Sequence, residues 1–587
     1  MNSRSSNSGS SSNSSSGGSS SCCGGRRGHS SSGGSSGTGI NKKETLLMER
    51  KKRLSTMGNS GKQSHVLKAL SLVFESPEDV MQQDDLDHTT QLHSMEKALQ
   101  TFNDLKLWSA IEHLMDLDDV EDEDTVGGIV GGIDDGIGSD AIDSVDSFNS
   151  SKEKTNQSNE TKYINGRQHD YLIKNCARLV ANVLACDLAL FNGTMNAHYV
   201  DTSTKKWQKR FQKWLSNDSR KENRTDLKIT HHARRAAQHL LLYDTILFNK
   251  AKNKDSTEKT FNIIEKNNIP LYSDHLFPVH GIDVDNDFVS TSLSSSFGSL
   301  ASDGIDIVFV HGIAGGAFMS WNQELIAQQH NYSQFWPGLW LPADLERRTK
   351  RSARVLTFGY EARPIRTIKQ MDETSSPPLD MEEQAASLLQ KLKLAKVGVG
   401  ARPVVFVCHS LGGLVVKKTL MLSHMESKTS GTTDVLGTNT KACVFYSTPH
   451  KGSPLMDLLL QPADTVVAAG LAGIHPIVMW LSTTHQPTLD LNEAFGVVYG
   501  NRSMSIGETK KETLPGLLNL DILAISDMMD WIFDDSGVIQ IVPSNSAYPG
   551  YGMFEEIPNS PHTTINKPTS LKDRRYLAMI EYVAGRV

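Results

Sequence analysis

Cysteine is scarce in this 587-residue sequence, with six in all: Cys22, Cys23, Cys176, Cys186, Cys408 and Cys443. No two have the spacing of a zinc site, and their scatter excludes a disulfide-stapled secreted scaffold, so a reducing or thiol-tolerant compartment is expected. Neither a membrane span nor a myristoylation signal flanks Cys22-Cys23, which argues against a lipidated pair. Long apolar runs are also missing. The nearest, residues 465–481 (TVVAAGLAGIHPIVMWL), is broken by His475-Pro476 and reads as a lid or core helix rather than a bilayer span. Acidic residues are absent from residues 1–43, a Ser/Gly tract bearing Arg4, Arg26 and Arg27. A mitochondrial presequence shares that composition, but no Leu or Ile for an amphipathic helix precedes Ile40. A flexible tail over residues 1–60 is the expectation, because such a segment buries too little to offset its ordering entropy.

The missing acid reappears in one place. From Asp116 to Asp146 there are 12 Asp or Glu and no Lys or Arg, threaded with Gly, so residues 116–159 read as a solvated acidic linker. Without those 12 residues the formal charge moves from −7 to about +5. A mildly basic remainder is compatible with an anionic membrane surface.

Residues 61–115 repeat apolar positions every three to four residues and read as helical. A second helical block spans residues 160–250. Within it ARLVANVLACDLALF, from Ala177, is echoed by ARRAAQHLLLYDTILF, from Ala233, each closing on D-x-x-L-F. The echo suggests a helical-solenoid, armadillo-like pair. The second copy also holds His239 and Asp244 in H-x-x-x-x-D spacing. Five residues apart on a helix does not put two side chains on one face, so the pair is given no functional weight. Residues 251–303 are polar and Ser-rich and read as a linker.

From residue 304 to 587 the texture changes. IDIVFVHG, SARVLTFGY, RPVVFVCHS and KACVFYSTPH are short, continuously apolar runs, separated by helical stretches such as EEQAASLLQKLKLA. Continuous apolarity marks strands covered on both faces, so an α/β fold with a mostly parallel sheet is expected here.

In such a sheet chemistry gathers at the carboxyl ends of strands. The run VVFV leads into Cys408-His409-Ser410-Leu411-Gly412-Gly413 and then a helical stretch, the context of a nucleophile elbow with cysteine in place of the first glycine. Cysteine is small and unbranched, hence tolerable there. An ordinary helix N-cap is the other reading of Ser410. Upstream, Val310 runs into His311-Gly312-Ile313-Ala314-Gly315-Gly316, a glycine-rich turn suited to presenting backbone N–H groups. The N–H groups of Ile313 and Leu411 are the candidate oxyanion donors. Near the end, His562 lies on a loop before the last helix and follows the nucleophile–acid–histidine order. Glu508, closing a late strand, is the candidate acid, with Asp534 and Asp535 as alternatives.

Five motifs in order, IVFVHGIAGGAFMSW, FWPGLWLPADL, RPVVFVCHSLGGLVVKK, FYSTPHKGSP and VPSNSAYPGYG…IPNSPHTTINKP, resemble the serine active site-containing protein family. These are lipase-type α/β hydrolases related to inositol deacylases of glycosylphosphatidylinositol. The resemblance covers residues 305–587 and implies an α/β-hydrolase domain with Ser410, His562 and Glu508 as its triad. It implies a lipid substrate, with roles in phosphatidylglycerol remodelling and intracellular cholesterol movement at contacts between mitochondria and endoplasmic reticulum, and hence peripheral membrane association. The hydrophobic anchor that some family members carry is not seen. The expectation is a serine-dependent lipid acyl hydrolase or transacylase, needing no cofactor or metal and no nucleic acid. The alternative is a non-catalytic lipid-binding scaffold at organelle contacts.

Overall fold

Seven strands form one sheet, and their sequences say why. In a computed structural model, the described residues are 172–188, 227–252, 270–280, 304–323, 334–367, 379–460, 471–512 and 540–587, with scattered positions in 67–111 and 207–214. The tail over 1–60 and the acidic segment 116–159 lie outside them, and of the segment 61–115 only scattered helical positions are described.

The strands are β1 (Leu276–His280), β2 (Ile305–Val310), β3 (Ala353–Phe358), β4 (Val404–His409), β5 (Thr440–Tyr446), β6 (Ser503–Glu508) and β7 (Met553–Ile557). Their order across the sheet is β1-β3-β2-β4-β5-β6-β7. All neighbours are parallel except β1, which runs antiparallel to β3. Every residue of β2, β3, β4 and β6 is buried, as in strands covered on both faces.

Alternate residues feed two cores. Val308, Val310, Phe406, Cys408 and Phe445 face α3 (Met381–Leu394), α4 (Leu411–Ser430) and α5 (Gln486–Tyr499). Ile307, Phe309, Val405, Val407 and Val444 face α2 (Leu341–Thr349) and α6 (Arg574–Ala584), together with Trp321 and Trp336. Helix α3 opens with a capping box in which Asp380 and Glu383 each accept the other's backbone N–H. At the amino end of the sheet the one charged residue of β2, Asp306, is buried. It accepts from Arg354 Nε at 2.9 Å, Arg402 Nη2 at 2.9 Å and Gly398 N at 2.9 Å.

Two sequence expectations need correction. The segment 251–303 is not only a linker, because it contains β1, whose Leu276, Phe277 and Val279 are buried. Residues 465–481 do not form a lid or core helix over their described part. Leu471–Ile474 is a short strand paired with Ile365–Thr367, and Pro476–Leu481 is a 3₁₀ turn begun at His475-Pro476. Proline fixes the break, and Ile477, Val478 and Leu481 pack into the core.

Residues 172–188 are helical, as is α1 (Leu227–Lys252), so the described residues of both halves of the internal echo are helical. They pack together and onto the chain entering β1. Arg235 donates to Asn182 Oδ1 at 2.9 Å and to Tyr272 O at 3.0 and 3.1 Å, and it pairs with Asp274. His239 is buried, its Nε2 accepts from Tyr272 N at 3.2 Å, and its Nδ1 donates to Ala181 O at 3.0 Å. That structural role matches the absence of functional weight given to its spacing with Asp244.

Candidate active site

Ser410 stands between the last residue of β4 and the first of α4. Its φ is 52° and its ψ is −127°, a conformation that costs a non-glycine residue about 1–3 kcal/mol and is held only by its surroundings. Those surroundings are specific. Ser410 N–H donates to Tyr446 O at 2.9 Å, and Gly413 N–H donates to Ser410 O at 3.0 Å. A Cβ on Gly412 would fall on the carbonyl oxygens of His311 and Val310, and one on Gly413 would fall on Thr448 Oγ1. Side chains there would push the elbow off the neighbouring turn. The Ser410 hydroxyl makes no capping bond to α4, so the N-cap reading does not describe it.

Cys408, where the first glycine of the motif would stand, is buried in the core beneath α4. Burial pushes its thiol well above the ordinary range, with Cys443 nearby adding to the effect. It is a packing residue.

The turn after β2 is fixed by its histidine. Tyr360 N–H donates to His311 Nε2 at 3.2 Å, so Nδ1 carries the proton and donates to Gly312 O at 2.9 Å. The ring stacks on Tyr360 at 4.4 Å, and Tyr360 Oη donates to His311 O at 2.8 Å. Burial brings the imidazole pKa down to about 4, so it stays neutral near pH 7. Gly312 is needed because a Cβ there would lie 2.6 Å from Ser410 Cβ. Beyond it, Ala314 N–H donates to Ala362 O at 2.7 Å, Gly315 N–H to Gly312 O at 3.1 Å, and Gly316 N–H to Ser320 Oγ at 3.1 Å. Among the described residues, neither Ile313 N–H nor Leu411 N–H donates a hydrogen bond. Both candidate donors are thus unengaged, a condition that oxyanion binding needs.

The late strands deliver a carboxylate and an imidazole. Glu508 ends β6 and is fully buried; its Oε2 lies 2.5 Å from His562 Nδ1, while Oε1 accepts from Ile541 N and Val542 N at 3.0 Å each. His562 is buried on the loop before α6. That loop is pinned by Asn566, whose side-chain amide donates to Ser320 O at 2.5 Å and whose backbone carbonyl accepts from Trp336 Nε1 at 3.2 Å. The structure therefore places Glu508, not another acid of the described chain, against His562. Asp534 and Asp535 lie outside the described residues.

One contact escaped the sequence reading. His409 Nε2 donates to His562 O at 3.0 Å, and the two rings lie 4.9 Å apart. The residue before Ser410 thus ties the elbow to the histidine loop. Its only sequence signal is its place inside the motif. Among the described residues, no group of three or more His, Cys, Asp or Glu is arranged to hold a metal ion.

Strand order, the strained serine between β4 and α4, and a histidine–carboxylate pair after the late strands define an α/β hydrolase fold. Among curated proteins, the chain is similar to those named Protein SERAC1. It is 29% identical to the Danio rerio protein over 293 residues, 47% of this chain and 38% of that one. It is 32% identical to the Homo sapiens protein over 164 residues, 26% of this chain and 22% of that one. The match thus spans well under half the length of these relatives. Among solved structures, the mature lipase BlEst2 of Bacillus licheniformis shares 15% identity at a TM-score of 0.30, over 52% of this chain and 97% of that one. The phospholipase PlaB of Legionella pneumophila shares 16% identity at a TM-score of 0.24, over 40% of this chain and 42% of that one. No family model matches the sequence.

Proposed function

We propose that this chain is a serine-dependent lipid acyl hydrolase or transacylase acting on a glycerophospholipid ester. The observation that carries it is the Glu508–His562 pair, buried and hydrogen-bonded, tied through His409 to the strained elbow of Ser410. Glu508 occupies Nδ1 of His562, which leaves Nε2 to exchange the proton. Ser410 Oγ attacks the acyl carbonyl, and His562 Nε2 takes its proton. The N–H groups of Ile313 and Leu411 hold the oxyanion. As the tetrahedral intermediate collapses, the C–O bond to the leaving alcohol breaks and His562 returns the proton to that oxygen. Water or a lipid hydroxyl then attacks the acyl-serine by the same steps in reverse. The triad requires no cofactor.

The lipid class rests on the resemblance to the serine active site-containing proteins and on the similarity to SERAC1. Phosphatidylglycerol remodelling, effects on cholesterol movement, and residence at mitochondrial and endoplasmic reticulum membranes belong to the same proposal. Among the described residues no helix is long and apolar enough to cross a membrane. Peripheral attachment is part of the same proposal and rests on the resemblance.

A fluorophosphonate probe tests the chemistry: wild type is labelled and Ser410→Ala is not. If neither is labelled, the chain is a lipid-binding scaffold instead. Lipidomics of cells carrying Ser410→Ala then names the substrate class, and an unchanged glycerophospholipid profile would overturn the lipid assignment.

A further inference from the structure

The turn that carries Ile313 runs on into Ala317-Phe318, and Phe318 has an unexpected neighbour. His231, on α1, stacks on the Phe318 ring at 4.5 Å with an interplanar angle of 2°. The Phe318 ring also meets Phe277 of β1 at 5.1 Å and Phe335 at 5.8 Å. The phenylalanine is thus clamped between the sheet edge and a helix that belongs to the armadillo-like region of the sequence.

That helix is a firm wall. Arg234 Nη1 donates to His231 Nδ1 at 3.2 Å and to Val279 O at 3.3 Å, which fixes the plane of the imidazole relative to β1. One turn on, Arg235 and His239 bind the chain at Tyr272 and Asp274. His232 packs edge-on against Phe277 at 5.2 Å. On the other side, Phe318 is two residues from Gly316, and Trp321 N–H donates back to Phe318 O at 3.1 Å. Thr357 Oγ1 donates to Ala317 O at 2.7 Å. A short, hydrogen-bonded loop therefore joins Phe318 to Ala314, Gly315 and Gly316.

We propose that α1 is a working part of the hydrolase site, in which His231 is a positioning residue that holds the glycine-rich turn in its donor-presenting shape through Phe318. The kinetic side of this inference rests on the reading of Ile313 as an oxyanion donor. The coupling itself does not.

Two measurements on the full chain test it. The first is hydrogen exchange at the amides of Ala314, Gly315 and Gly316. In His231→Ala they should exchange about tenfold faster than in wild type as the loop opens locally, and in His231→Phe, which keeps a stacking ring, near the wild-type rate. The second is hydrolysis of a p-nitrophenyl ester. His231→Ala should lose roughly tenfold in kcat with KM unchanged, less than the 10²–10³-fold that follows outright loss of an oxyanion donor, and His231→Phe should recover it. Exchange in His231→Ala at the wild-type rate would overturn the coupling, as would His231→Phe exchanging as fast as His231→Ala. If wild type does not hydrolyse the ester, the catalytic reading fails while the exchange arm still decides the coupling. Should His231→Ala not fold, Phe318→Leu removes the stack from the other side and carries the same expectation.

Discussion

Glu508 divides its two oxygens between two tasks: Oε2 faces His562 Nδ1 at 2.5 Å, and Oε1 is held by the backbone N–H groups of Ile541 and Val542. The carboxylate is therefore locked in orientation before it orients the histidine. In Glu508→Gln the amide oxygen can keep both backbone bonds, so the fold should survive. The amide nitrogen then faces His562 Nδ1 and favours the wrong tautomer. Turnover should fall by roughly 10²–10⁴-fold with little change in melting temperature. Steady-state kinetics beside a thermal melt checks this, and undiminished activity would remove Glu508 from the triad.

The elbow depends on an approach that only glycine allows. Gly412→Ala would set a methyl group against the carbonyl oxygens of Val310 and His311, which are backbone and cannot rotate away. We expect a loss of about 1–3 kcal/mol in stability from this overpacking. Fluorophosphonate labelling should disappear in the protein that remains folded, because the start of α4 and the end of β2 must separate. Wild-type labelling of Gly412→Ala would show that the close approach is dispensable.

Cys408 should be unreactive in the native state. Its thiol is buried and pushed well above the usual range, and burial pushes that of Cys443 up to about 12. Iodoacetamide should modify neither until the protein unfolds, as read by mass spectrometry. Cys408→Gly should keep activity, since it restores the usual first residue of the motif. It should lower stability by about 1–2 kcal/mol, because a buried side chain is lost and glycine weakens a central strand.

Acid should unfold the protein partly through His311. Its folded pKa, about 4, lies below the ordinary histidine value of 6.5 because the charged form is desolvated. Between pH 6.5 and 4 the unfolded chain binds a proton that the folded chain does not. Stability from this group is complete above pH 6.5 and is lost as the pH falls toward 4, by roughly 3 kcal/mol in total. His239, brought down to about 3 by burial, adds in the same direction over a wider range. Urea melts at pH 7 and 4.5 should give a shallower pH dependence for His311→Gln than for wild type. An equal dependence would place the acid sensitivity elsewhere.

The strands that build the centre of the sheet were legible because burial on both faces writes itself as an apolar run, as in IVFV and VVFV. The place of Ser410 between a strand and a helix, and the pairing of Glu508 with His562, were legible from the strand ends and the order in which these residues fall. Strand β1 was not. It is five residues long, holds Pro278 and sits in a Ser-rich segment, so neither length nor periodicity marks it. Nothing in the sequence accounts for an aspartate inside β2; the pairing of Asp306 with Arg354 and Arg402, 48 and 96 residues away, explains its burial. The contacts of His409 with His562 and of His231 with Phe318 are of the same kind. They join segments far apart in the chain, and no local pattern encodes which partner a side chain will meet.

Strand β1 also changes where this protein can be cut. It covers the outer margin of β3 by antiparallel pairing from Leu276–Phe358 onward. A fragment begun at residue 304, the apparent start of the hydrolase sequence, would leave the backbone groups of ARVLTF without that cover, an open template for another chain to add to. Residues 276–280 are thus an edge guard, and a soluble fragment has to begin before Leu276.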